Sequence, residues 1–462
     1  MTKNTSLQGS RSSSREFLFY TTDSRNYTDY TDEASSADLN RLEKEFPNMP
    51  VGSSFIRTAM ARLESDPSKF AAMVVRIDPP IDPPPHSEPE ETQTAETKET
   101  NGENKQTALL LDVAKALHDA CEGIGVMGLL TREIFACLFP DTDEKQCPQL
   151  ADNIRKKLAM RRQESLTVGI ASYPFLHFSR ERILENACKA LEHAAFLGPG
   201  GTAFFDAVSL NISGDRLYQE GNIHGAVAEF KTALLIDPAN VNIHNSLGVC
   251  YGVRGEFEEA LEQFEIAARL DPAEVMAIYN AGLVNMFTGK KEKSLEYFLR
   301  AESLGEEVFE VAFQIGRLYS ETGAAEKGKN FLEKAVRLRP ESSSALRYLG
   351  DCYAALNMSA EALRTYKKAV RLNPFDAASL SAIGYLFDVK GENPEIATVF
   401  CQHSVEIAPG NGLFRHRLGL LYLKQNRFDD ALKEFIKAIE LGHHDSIQLI
   451  EDIQTRRTAA AS

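Results

Sequence analysis

The chain has no run of about 18 apolar residues, so no membrane span is expected. Its first residues, MTKNTSLQGSRSSSREF, have no apolar stretch of the kind a secretory leader requires. No Cys-x-x-Cys pair occurs, and the seven cysteines (Cys121, Cys137, Cys147, Cys188, Cys250, Cys352, Cys401) are odd in number and far apart. This argues against a disulfide framework or a cysteine-held metal; it fits reduced thiols in a cytoplasm and no cofactor. Basic residues are in deficit, 51 Lys and Arg against 66 Asp and Glu, for a formal net charge of -15. A basic face for sequence-independent nucleic-acid binding is therefore not expected.

What is present is ordinary globular composition, 43% hydrophobic and 25% charged, spread over 462 residues. That length is too great for one core, so two or three domains are expected. Residues 1–36 are rich in Ser, Thr, Asp and Tyr without apolar periodicity and read as disordered. DPPIDPPPHSEPEETQTAETKETNGENK (78–105) reads as a solvated Pro/Glu-rich insertion at about 79–105.

Around that insertion lies an α+β pattern. FAAMVVRI (70–77) is a continuous apolar run, hence a buried strand. TALLLDVAKALHDAC (107–121) has helical spacing at Leu110, Val113, Ala114, Leu117 and Cys121. GLLTREIFACLFP (128–140) has two apolar runs around a polar turn, a hairpin. CPQLADNIRKKLAMR is helical through Leu150, Ile154 and Leu158, and LTVGIASYP (166–174) is a strand. SRERILENACKALEHAAFLG places Ile183, Ala187, Leu191 and Ala194 on one helix face, with Ser179 as a cap that has no reciprocal Glu. GTAFFD closes with a short strand. The order β-α-β-β-α-β, then α and β, predicts a ferredoxin-like sheet with helices on one face.

From Ala207 the pattern changes. Glycines recur at 214, 248, 282, 316, 350 and 384, and again at 419, where the loop GENPEIA holds one extra residue. Prolines at 238, 272, 340, 374 and 409 mark the other end of the unit, with Glu306 and His443 at the same phase. Such a period means an array of helix–turn–helix units. In NSLGVCYGVRGEFEEALEQFEIAARLDP, Gly255 ends the first helix in a left-handed cap and Pro272 stops the second. Glycine inside a helix costs about 1 kcal/mol relative to alanine, so its repetition implies close helix approach. Ala226, Ala260, Ala362, Ala397 and Ala431, with Ser294 and Gly328, supply the small partner; Phe230, Phe264, Phe298, Tyr366 and Phe435 fill the gap to the next unit.

These residues resemble the tetratricopeptide repeat, in seven units over 207–444, without the tryptophan often found at the fourth position. The resemblance implies an all-α superhelical solenoid whose concave face binds a peptide or partner protein. DSIQLIEDIQTRR (445–457) then serves as the capping helix. By the family's pattern, the second, fifth, ninth, twelfth and thirteenth residues of each first helix face the concavity. In the third unit these are Met276, Tyr279, Leu283, Met286 and Phe287; further on the groove turns polar with Arg317, Glu321, Arg347 and Asp351. Two readings of the apolar stripe stand: an anchor for a partner's apolar side chains, or packing against a neighbouring helix or the sheet domain in cis. The Lys and Asn pattern that clamps a terminal carboxylate in chaperone-binding relatives does not appear, Asn211 and Asp215 occupying its first-unit positions. His443-His444 reads as a solvated loop pair rather than a metal site.

The sheet region resembles a GGDEF domain, the fold of bacterial diguanylate cyclases, over about 40–206. LTVGIASYP with ILENACKALEHAAFLGPGGTAFFD matches its C-terminal half, FACLFPD the segment after its signature, and EFPNMPVGSSFIRTAMARLE (45–64) its opening helix. TREIF then lies on the signature hairpin. The resemblance implies that the two glycines approaching the nucleotide have become Thr131 and Arg132, and the acidic pair Glu133 and Ile134. Arg76 stands where a metal-binding aspartate is wanted, and Asp78 alone remains. The base-binding residues give way to the Pro/Glu segment, and the product-inhibition motif to Glu122 and Gly125. Two-metal phosphoryl chemistry needs carboxylates, which an arginine does not replace. The expectation is a non-enzymatic, cytoplasmic scaffold in bacterial signalling or complex assembly. The rival is a nucleotide sensor that binds GTP or cyclic di-GMP without turnover, or a residual cyclase.

Overall fold

The computed structural model describes residues 36–461 except 48, 66–68, 79–94, 132 and 144. Residues 1–35 and 79–94, expected to be disordered, lie outside the described residues. The chain forms two compact units, up to Pro272 and from Ala273 onward. The division falls inside the repeat array, not at 206/207 where the composition changes.

The first unit opens with α1 (Ser36–Glu45) and α2 (Ser53–Ser65), followed by β1 (Phe70–Ile77), α3 (Ala95–Cys121), β2 (Val126–Thr131), β3 (Ile134–Pro140), α4 (Cys147–Ala159), β4 (Leu166–Tyr173), α5 (Ile183–Phe196) and β5 (Thr202–Phe204). The five strands lie in the order β2-β3-β1-β4-β5. All neighbours are antiparallel except β4 and β5. Helix α3 starts at Ala95, so residues 95–105, expected to belong to the insertion, are helical. AETKETNGENK is polar, but its Ala, Glu and Lys are good helix formers. Ser179, expected to cap α5, makes no side-chain cap bond; a short 3-10 turn at Arg180–Arg182 leads into the helix instead.

The expectation of helices on one face is corrected. Met73 and Val75 of β1 and Val168 and Ile170 of β4 share one core with Val113, Leu117, Ile154 and Leu158 of α3 and α4. Gly169, between Val168 and Ile170, faces the other way, because side chains alternate across a strand. There α5 comes so close that a Cβ on Gly169 would collide with the backbone of Ala187 and Leu191. The apolar run of β1 reads as buried on both faces, and is: only Arg76 is not fully buried. The open edge of β2 is partly closed by the segment before α2, where Gly52 N–H donates to Leu129 O at 2.7 Å and Leu129 N–H to Pro50 O at 3.2 Å.

Four repeat helices complete the first unit: α6 (Ala207–Gln219), α7 (Ile223–Ile236), α8 (Val241–Arg254) and α9 (Phe257–Leu270). The second unit holds α10 (Val275–Phe287), α11 (Lys291–Ser303), α12 (Phe309–Glu321), α13 (Ala325–Leu338), α14 (Ser343–Ala355), α15 (Ser359–Leu372), α16 (Ala377–Lys390), α17 (Pro394–Ile407), α18 (Gly412–Lys424), α19 (Phe428–Glu440) and α20 (Ile447–Ala461). Gly255 ends α8 with φ +79°, in the left-handed region, as its place before helix α9 predicts. The large side chains of the second helices act inside their own repeat. A Cβ on Gly248 would stand 2.6 Å from the Phe264 ring, and one on Gly282 2.6 Å from Phe298. Leu332 and Cys401 take the same role against Gly316 and Gly384. The glycine is kept because the aromatic ring occupies the space of its missing Cβ, not because of any turn.

Candidate functional site: the first-helix face of the second unit

The first helices of successive repeats, α12, α14, α16 and α18, pack side by side and form one face. The predicted apolar stripe on α10 splits into buried and half-buried residues. Tyr279 is 1% and Leu283 0% exposed, with the Tyr279 ring 5.3 Å from that of Phe298. Both are core and offer no surface to a partner, which corrects their placement in the groove. Met276, Met286 and Phe287 remain half-buried. The stripe divides because residues at spacings of three and four cover more of the helix circumference than one open face holds.

The polar part of the face is made of stacked and paired groups. Arg317 of α12 donates through Nε to Glu321 at 2.9 Å, and Lys291 lies 3.4 Å from the same carboxylate. Burial opposes the charge on Glu321, but the Arg317 hydrogen bond and the Arg317 and Lys291 charges hold its carboxyl below the usual range. Tyr348 of α14 lies between Arg317 and Arg347, 5.8 Å and 4.2 Å from the two guanidinium carbons. Arg347 also reaches Asp376, Nε to Oδ2 3.8 Å. Asp351 accepts a hydrogen bond from the Tyr366 hydroxyl at 2.6 Å, and burial raises its carboxyl above the ordinary value. Arg417 of α18 donates to Ser381 Oγ at 3.1 Å and lies over the Tyr385 ring at 4.8 Å. Lys424 and Asp388 close the row at 2.8 Å. Tyr348 and Arg417 stand at the sixth position of their helices, beside the five phases counted from the sequence; scanning that phase finds them.

The sheet-domain residues come together differently. Arg76 pairs in register with Ile134 and Thr167, so the β1 end does meet the hairpin. Thr131 ends β2 half-buried, Glu133 is exposed in the turn, and Arg132 lies outside the described residues. Asp78 is 3% exposed and its carboxylate accepts three hydrogen bonds: Ser165 Oγ donates at 2.6 Å, Thr167 Oγ1 at 2.5 Å and the Gly200 N–H at 2.8 Å. It ties the end of β1 to the start of β4 and to the loop before β5. Glu122 lies exposed beyond α3, and a Cβ on Gly125 would meet the Phe139 ring at 2.8 Å.

Asn211 and Asp215 do not form an open clamp: Asp215 is 1% exposed and accepts from Asn211 at 3.4 Å. His443 is half-buried, its ring tilted at 58° against that of His416 with centroids 4.5 Å apart, and His444 is exposed. Among the described residues no cluster of three or more His, Cys, Asp or Glu is placed to hold a metal, and no helix is long and apolar enough to cross a membrane.

Family models for the tetratricopeptide repeat match residues 214–252, 251–307, 313–386 and 414–441. The array is built of tetratricopeptide repeats. Among solved structures the chain is similar to YrrB, described as a TPR protein with an unusual peptide-binding site, at 22% identity over 40% of this chain and 96% of that one, TM-score 0.38. It is similar to MamA at 26% identity over 36% and 96%, TM-score 0.33. It is similar to pilF of Pseudomonas aeruginosa at 21% identity over 45% and 95%, TM-score 0.41. No curated protein matches the chain.

Proposed function

We propose that the chain is a non-catalytic interaction scaffold whose tetratricopeptide array receives a partner protein or peptide on the first helices of its third to seventh repeats. The observation that carries this is the row of half-exposed arginine and tyrosine side chains on α12, α14, α16 and α18, types enriched where interfaces concentrate their energy. The half-buried Met276, Met286 and Phe287 of α10 add an apolar end. The test is affinity capture with the full chain as bait. Met286→Glu should abolish capture and leave the melting temperature unchanged, because its half-exposed side chain can turn a carboxylate to water. Unfolding of the array by this change would make Met286 core and move the binding surface elsewhere.

For the sheet domain the proposal is a ferredoxin-like, GGDEF-related fold without turnover. The run β1-α3-β2-β3-α4-β4 with strand order β2-β3-β1-β4 supports the first part. The engaged Asp78 carboxylate and the neighbouring Arg76 support the second. Purified protein with GTP and Mg²⁺ or Mn²⁺ should form no cyclic dinucleotide above a protein-free blank; product that scales with protein and vanishes in Glu133→Ala would refute this. A cytoplasmic setting in bacterial signalling or assembly completes the proposal, supported by seven cysteines with no disulfide among them.

A further inference from the structure

We infer that His416 and His443 form an acid-sensitive latch that seats the C-terminal helix α20 on the last repeat while both rings are neutral and frees it when acid charges them. The inference does not depend on the reading of the first-helix face as a partner site.

A short turn joins the last repeat to α20. Ile453 of α20 is 1% exposed and shares a core with Leu418 of α18 and Phe435 of α19. The turn meets α18 at three points. A Cβ on Gly412, at the start of α18, would stand 2.9 Å from the Cβ of His443. The His416 and His443 rings meet with centroids 4.5 Å apart, tilted at 58°. Nδ1 of His416 lies 2.8 Å from the hydroxyl of Ser446, a fully buried residue directly before α20.

This arrangement suits neutral imidazoles. A charged imidazole carries an N–H on both nitrogens, and Nε2 of His443 is buried without a hydrogen-bond partner among the described residues. Its ion-pair approach to Asp445 Oδ2 is 3.9 Å long and reaches a side chain that is 85% exposed, so water screens it. Two charged rings at this separation would also repel, the more strongly for being half-buried. Burial first, then the His443 charge, and after them Arg417 hold the His416 imidazole below its ordinary value; Asp445 acts the other way. Among the other charges on the elements packed here, Arg415 is closed on Glu434 at 2.6 Å. His403 and Glu406 of α17, Lys437 and Glu440 of α19, and Glu451 and Asp452 of α20 make no ion pair with either ring among the described residues. With α20 seated, His416 therefore binds its proton less readily than with α20 released. The seating it favours is full above the ordinary histidine value, near about pH 6.5, and is lost as pH falls through the lower folded-state value.

The test is hydrogen exchange of the full chain, with a chelator present, at about pH 7.5 and about pH 5, corrected for the intrinsic dependence of exchange on pH. Peptides spanning 441–457 should lose protection roughly tenfold in acid, while those from α14 and α15 keep theirs. His416→Asn keeps a group that can bond the Ser446 hydroxyl and carries no charge at either pH; His443→Gln is uncharged as well. Protection in each variant should change with pH less than in the wild type, and in the double variant should not change. His444→Gln, at the exposed neighbour, should behave as the wild type does. A variant that no longer seats α20 at either pH leaves the wild-type and His444→Gln profiles to decide. Equal wild-type protection of 441–457 at both pH values would overturn the inference. So would equal loss along the whole array, a double variant that responds to acid as the wild type does, or a response abolished by His444→Gln.

Discussion

Two clusters of charge in this molecule use the same residue types for opposite ends. One lies in the first unit, where α5 of the sheet domain meets the first repeat. The other lines the face formed by the first helices of the second unit. In the first, Lys189 of α5 bonds Glu229 of α7 at 2.7 Å, their side chains only 8% and 16% exposed. Arg216 of α6 lies 3.5 Å from Glu192 of α5, itself 4% exposed. Around them Asn186, Asn211, Ser213 and Asp215 each keep a buried polar atom without a hydrogen-bond partner among the described residues. In the second cluster the charges are half-exposed, stacked on tyrosines or paired across neighbouring helices. Burial makes the first a fastening between domains. Partial exposure of the second is what the proposed recognition requires.

The strongest way to break this contrast is Lys189→Met. It leaves Glu229 buried without its cation, and removing one partner of a buried pair costs about 3–5 kcal/mol. Urea unfolding should show a loss of that size. A loss below about 1 kcal/mol would place the pair with ordinary surface ion pairs and remove the distinction.

Asp215→Asn tests the same junction with a smaller effect of opposite sign. Burial pushes the Asp215 carboxyl well above its ordinary value. Between the ordinary value and the raised one, the folded chain therefore holds a proton that the unfolded chain has released. Stability from this group is full below the ordinary carboxylate range, near about pH 4, and is lost as pH rises through the folded-state value. The asparagine variant should melt higher than the wild type at neutral pH, and the two should converge in acid. A variant that melts lower at neutral pH would show that Asp215 is ionised and bound to a cation.

The smallest effect sharpens the other side. Arg347→Ala should change stability by about 1 kcal/mol or less, since its ion pair is long and partly solvated. A loss comparable to that of Lys189→Met would mean that Arg347 holds the repeats together and is not free for a ligand.

Much of the architecture was legible because it is written in local or periodic patterns. The run FAAMVVRI reads as a strand buried on both faces, and β1 is one. The recurring glycines and the aromatic residues that follow them read as repeats, and each aromatic lies against its own glycine. The helix over 95–105 was missed because Pro and Glu just before it gave the whole stretch a polar, breaker-rich look, whereas helix formation depends on the residues of each turn. Tyr279 and Leu283 were placed in the groove because a position in a repeat fixes an angle on the helix, not how far a neighbouring ring covers it. Arg417 escaped for a related reason: its phase was not counted, and no local signal tells a stacked arginine from a solvated one.

The sequence by itself determined the order of strands and helices, the number and phase of the repeats, and the positions where only a small residue fits. These follow from side-chain periodicity and from steric limits felt within a single repeat. Only the tertiary structure decided that α5 covers the second face of the sheet, that Asp78 bonds the start of β4 and the loop before β5, and which charged groups are paired or lie over rings. Those outcomes turn on partners far along the chain: Ser381 lies 36 residues from Arg417, and Glu229 lies 40 from Lys189. Whether a charge is buried, paired or stacked is set by what folding brings beside it, because desolvation and Coulomb energy depend on the surroundings and not on the residue alone.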